Sequence, residues 1–116
     1  MNRYKLTKAG VNANEGIARF NGNQEVYEEC LNRFMADTHF QELQKAIEAQ
    51  DVKAAFAASH ALKGEAGNLS LTKLYADIVP LVEELRARRI DGTAEMMAAV
   101  GADYEAIIEA LKPKTE

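Results

Sequence analysis

Apolar residues recur at three- and four-residue spacing along almost the whole chain, and this periodicity constrains the fold more than any other feature. Strand-type alternation is absent, and Pro80 and Pro113 are the only prolines. The expected class is therefore all-α. A first short helix can begin at Asn12, bury Ile17 and Phe20, and stop at Asn21-Gly22, where glycine suits a left-handed C-terminal residue. A second stripe runs through Val26, Tyr27, Cys30, Leu31, Phe34 and Met35 and changes phase near Asp37-Thr38-His39. Phe40, Leu43 and Ile47 define another apolar face, so either one long kinked helix or two shorter ones are expected there, the kinked helix being favoured. Asp51 can cap a helix running to about Asn68. Leu71, Leu74, Tyr75, Ile78, Leu81, Val82 and Leu85 define the next, with a bend expected at Pro80. After Asp91-Gly92, Thr93 can cap a last helix carrying Met96, Met97, Val100, Tyr104, Ile107, Ile108 and Leu111.

Four substantial amphipathic helices with short connections are most economically packed as an antiparallel up-and-down four-helix bundle, with the short N-terminal helix as a cover. A chain of 116 residues suffices for one core and not for two, so residues 1–116 are expected to form a single domain. Residues 1–10 would be a lead and 112–116 a tail. The 14 basic and 18 acidic residues leave a formal charge of -4, which disfavours nucleic acid as a partner. Cys30 is the only cysteine, so disulfide and cysteine-zinc chemistry are excluded within the chain. No apolar run is long enough for a membrane span, and a cytoplasmic, monomeric protein is expected. The opening Met1 favours a stand-alone protein over a piece of a larger kinase.

The segment SHALKGEAGN, residues 59–68, departs from economical helix design. Each interior glycine costs a helix about 1 kcal/mol relative to alanine, yet Gly64 and Gly67 follow His60 by one and two turns. At 100° per residue, Ala55, Ala58, Leu62, Ala66 and Leu69 point opposite His60 and form the buried face. Lys53, Phe56, Lys63, Gly64 and Gly67 share the outward side with His60. Glycines on that face would let a second protein approach the helix backbone. Lys63 can set an ammonium beside an anion carried by the imidazole, and Phe56 offers a partner an apolar foothold. A neutral imidazole keeps one lone pair for nucleophilic attack. The chemistry this suits is receiving and handing on an electrophilic group, most naturally phosphoryl.

His60-Ala61-Leu62-Lys63-Gly64, with Ala66 and Asn68-Leu69, resembles the H-x-L-K-G motif of histidine-containing phosphotransfer (HPt) domains. GVNANEGIARFNGNQEVYEECLNRF before it and LTKLY after it extend the likeness over nearly the whole chain. The resemblance implies a helical bundle in which His60 accepts phosphoryl from a receiver-domain aspartate and passes it to another receiver aspartate. By position, Lys63 would steady the phosphate, and Gly64 would leave room for the receiver. Phe56, Lys53 and Gly67 would contact it, and Arg86, Arg88 and Arg89 could touch its acidic surface. The implied partners are response-regulator receiver domains and a hybrid histidine kinase. The protein would be a carrier rather than an enzyme, with no cofactor of its own and Mg2+ held by the receiver. Ser70 is a departure, since many such domains have glycine there.

Other chemistries fit less well. A metal-binding bundle would need Glu-x-x-His pairs, but Ala36 and Ala57 precede His39 and His60 by three residues. His39-x-x-Glu42 remains as a possible surface pair. Ser59 and His60 would point about 100° apart on a helix, which is wrong for nucleophile and base, and no G-x-S-x-G or P-loop pattern occurs. A helical interaction module that uses the same face without phosphorylation is the alternative reading.

Overall fold

The computed structural model describes residues 1–113, so only residues 112 and 113 of the expected tail fall within it. All regular structure among the described residues is helical: α1 (Arg3–Lys8), α2 (Ala13–Arg19), α3 (Gln24–Met35), α4 (His39–Glu48), α5 (Val52–Asn68), α6 (Thr72–Arg86) and α7 (Ala94–Leu111). Packing follows chain order, with α4 on α5, α5 on α6 and α6 on α7, and α7 also touches α3 and α1. The all-α expectation holds.

Four helix starts share one device. The side chains of Asn2, Asn12, Asn23 and Asp51 accept the backbone N–H of Lys5, Glu15, Val26 and Ala54 at 3.0 to 3.1 Å. Each satisfies a donor that the first turn leaves free. Asn2 makes a helix of the expected lead, because α1 buries Leu6 although it is too short to show a periodicity. Thr93 precedes α7 but does not cap it with its side chain; its hydroxyl donates to the Ile90 carbonyl at 2.7 Å.

Of the two readings open for this stretch, the structure has two shorter helices, α3 and α4, not one kinked helix. Asp37 is the cause: its carboxylate accepts the His39 backbone N–H at 3.0 Å, giving the chain a local alternative to the helical ladder. The last N–H groups of the preceding segment bond three residues back, Ala36 to Arg33 and Asp37 to Phe34, which tightens and ends α3. In contrast, α6 runs through Pro80, and its stripe of Leu74, Ile78, Leu81, Val82 and Leu85 is fully buried. Tyr75, expected in that stripe, is instead 40% exposed.

The core joins the buried faces of all these helices. Phe40 of α4 stacks on Tyr104 of α7 with ring centroids 4.3 Å apart, and Phe34 of α3 meets the same ring at 5.7 Å. Cys30 is half-buried against the core, not within it. Tyr27 is fully buried and donates its hydroxyl to the Leu69 carbonyl at 2.7 Å, which ties α3 to the end of α5. Burial, and after it the charge of Glu15, pushes the Tyr27 hydroxyl up to about 12, so it remains a donor. Gly16 of α2 lies against this ring so closely that any Cβ there would overlap it.

Candidate functional site

The helix α5 is built on small residues where it meets its neighbours. Ala55, Ala58, Ser59, Leu62 and Ala66 are buried, as is Leu69 just beyond its end, and His60 is exposed on the other side. Ser59 points inward and donates its hydroxyl to the Phe56 carbonyl at 3.0 Å, so it does not face His60 as a nucleophile would. The Phe56 and His60 rings lie 5.6 Å apart, tilted by 36°. Phe56 is half-buried, and the guanidinium of Arg86 sits 5.0 Å above its ring. Lys53 shares a second surface hollow with Phe56, Arg86 and Arg88. Arg89 is turned to Glu84, with a shortest contact of 2.6 Å.

His60 lines an open groove of about 630 Å³. Lys63, Gly64 and Gly67 share its floor; Glu15 and Arg19 of α2 form one wall, and Thr72 and Tyr75 of α6 another. Lys63 enters no ion pair among the described residues, so its ammonium is free to meet an anion. The two glycines differ. A Cβ on Gly64 would meet nothing within 4 Å, so its absence opens space above the helix. On Gly67 it would come within 3.3 Å of Cε1 of Tyr75. Gly67 therefore makes room for a ring of the protein itself, whereas Gly64 does not.

The loop that closes the groove explains Ser70. It has φ 56 and is buried, in the left-handed conformation that favours glycine at the end of a helix. Leu71 N–H bonds the Ala66 carbonyl at 2.9 Å and Ser70 N–H the Gly67 carbonyl at 3.4 Å, the Schellman pattern. Serine adds tethers to α2: its hydroxyl donates to Oε1 of Glu15 at 2.8 Å, and its carbonyl accepts the Asn12 N–H at 2.9 Å. Next to it, the Gly10 carbonyl accepts both the Thr72 hydroxyl and the Lys73 N–H. These bonds hold α2 over the groove, a placement that no pattern near His60 foretells.

A second polar cluster lies elsewhere on α5. Nδ1 of His39 is 3.0 Å from Oδ1 of Asp37 and 3.1 Å from Oε1 of Glu65. Glu42, the partner expected for His39, takes the Thr38 hydroxyl at 2.7 Å instead. Burial, and then its hydrogen bond with Asp37, raises Glu65 to about 7. Burial opposes the charge on His39, but Glu65, Asp37 and Glu42 together outweigh it and leave that imidazole above its ordinary value. The sequence hides this group, because Glu65 stands 26 residues from His39. His60 takes no part in it.

A family model described as Hpt domain matches residues 33–111, from the last turn of α3 to the end of α7. Glu15 and Arg19, which wall the groove, precede the matched region. Comparison with curated proteins and with solved structures gave no match.

Proposed function

The chain belongs to the Hpt domain family, which acts in histidine phosphotransfer within phosphorelays, and from that premise we propose that His60 is the residue phosphorylated. The reading rests above all on an exposed His60 one turn before Gly64, where even a methyl group would meet only open space. The imidazole lone pair attacks the phosphorus of a receiver's aspartyl phosphate. The N–P bond forms as the acyl O–P bond breaks, and the aspartate leaves as a carboxylate. The phosphorylated ring then gives up its N–H proton to solvent, and transfer to the next receiver runs the same steps in reverse.

Lys63 offsets the dianionic charge that accumulates on the ring, and Gly64 admits the receiver's backbone close to it. Phe56 and Lys53 lie to one side as apolar and cationic contacts, and Gly67 contributes to the groove floor under Tyr75. One copy of the chain contributes every one of these groups, so a monomer is a sufficient working unit. The partners are receiver domains, with a hybrid histidine kinase upstream; Mg2+ belongs to the receiver's acidic pocket, and the protein is a carrier without a cofactor. No helix is long and apolar enough to cross a membrane among the described residues.

Incubation with a receiver labelled on its aspartate tests this reading. The chain is expected to take up label in a base-stable, acid-labile form, as a phosphoramidate would. Receiver binding without any uptake would overturn the carrier assignment and leave an interaction module.

Gly64 separates stability from function. Gly64→Ala should raise unfolding free energy by about 1 kcal/mol, since an exposed helix position gains propensity and nothing is displaced. Gly64→Leu should keep most of that gain yet slow transfer at least about tenfold, because about 1.4 kcal/mol of steric cost in the docked complex suffices. Denaturant melts and transfer rates measured on both variants check this. Unimpeded transfer in Gly64→Leu would remove the clearance role.

A further inference from the structure

We propose that Asp37, His39 and Glu65 form a binding site for a divalent transition-metal ion of the zinc class, where the turn between α3 and α4 meets α5. The three side chains each direct a donor atom to one point on the surface, and all three donors lie within 4.8 Å of one another. Zinc bonds of about 2.0–2.2 Å at tetrahedral angles hold ligand atoms roughly 3.3–3.6 Å apart. Nδ1 of His39 already stands 3.0 Å from Asp37 and 3.1 Å from Glu65, close to that spacing.

The set is also fixed in place. Asp37 is held by the His39 backbone N–H at 3.0 Å, His39 opens α4, and Glu65 lies within the long helix α5. Among the described residues, His39 is the sole cation-forming group paired with either carboxylate. The three side chains keep 16% to 35% of their exposure, which leaves a path for the ion and room for water as a further ligand.

Donor chemistry selects the ion. Two carboxylate oxygens and one imidazole nitrogen suit zinc and its neighbours, whereas magnesium and calcium prefer oxygen alone. Bound metal would pin the Ala36–Thr38 turn to α5 beside Gly64 without engaging His60. The phosphocarrier reading and the metal site are therefore independent.

The test is calorimetric titration of the metal-free chain with ZnCl2 near neutral pH, alongside thermal unfolding. One equivalent of Zn2+ should bind at micromolar concentration and raise the melting temperature. Binding should weaken at least tenfold in His39→Ala and in Glu65→Gln, with the helical circular dichroism of both retained. His60→Gln should bind as the wild type does, and MgCl2 should give no heat. Failure of the wild type to take up stoichiometric Zn2+, or wild-type affinity in both cluster variants, would overturn the proposal. Loss of binding in His60→Gln would place the ion on the groove histidine and overturn it equally. Co2+ gives a second readout, since visible d–d bands should appear in the wild type and vanish in His39→Ala.

Discussion

His60→Gln is expected to abolish phosphate uptake from a labelled receiver while leaving the fold unchanged. Glutamine fills similar space and is a somewhat better helix former, and His60 is exposed on α5, so the stability change should stay within about 0.5 kcal/mol. Its amide nitrogen has no available lone pair, and no bond to phosphorus can form. His39 does not line the groove in which His60 stands, so a receiver docked over the groove is not expected to reach it. Transfer assays with circular dichroism on the same samples check both halves. Retained uptake by a folded variant would remove His60 from the relay.

The second large effect concerns Tyr27. Tyr27→Ala should cost about 3–5 kcal/mol, the usual range for truncating a buried aromatic, against a total stability of roughly 5–15 kcal/mol for a domain. Its ring is fully buried, fits against Gly16 and meets Phe20 edge-on at 5.7 Å. Tyr27→Phe keeps the ring but removes the hydroxyl bonded to the Leu69 carbonyl, and about 1–3 kcal/mol is expected for that carbonyl left without this partner. Urea unfolding of the pair separates packing from hydrogen bonding. A Tyr27→Phe variant as stable as the wild type would show that water replaces the hydroxyl freely.

Most of α5 was readable from sequence because its two faces differ in kind. Asp51 announces the cap, alanines and leucines announce the packed side, and a helical wheel then turns His60 outward. Repetition at fixed spacing also revealed α6 and α7. Three features escaped for a common reason: each depends on how one helix lies against another. Gly67 lines the groove but also lies against Tyr75, a contact that its spacing from His60 does not reveal. Val26 and Tyr75 fit their stripes by spacing but stay partly exposed at the surface. Asp103 was not anticipated in the interior; it is buried on α7 and pairs with Lys73 of α6 at 2.9 Å, and burial raises its carboxyl above the ordinary range. The break at Asp37 was local, but phase alone does not distinguish a kink from a turn, and the deciding bond comes from a side chain.

The wall of the groove has a different mechanical standing from its floor. α1 and α2 together bury only Leu6, Ala13 and Gly16 within their spans, and they are tied to the rest partly through backbone bonds at Asn12 and Gly10. α5 is clamped between α4 and α6, its neighbours along the chain. Contacts between sequence neighbours form at small loop-closure cost, whereas the bonds from Asn12 to Ser70 and from Lys73 to Gly10 bridge about sixty residues. Amide hydrogen exchange should accordingly show α1 and α2 opening at lower free energy than α5. A docking protein would thus meet His60 on a rigid platform beneath a compliant edge, with shape adjustment confined to the part of the site that carries no chemistry.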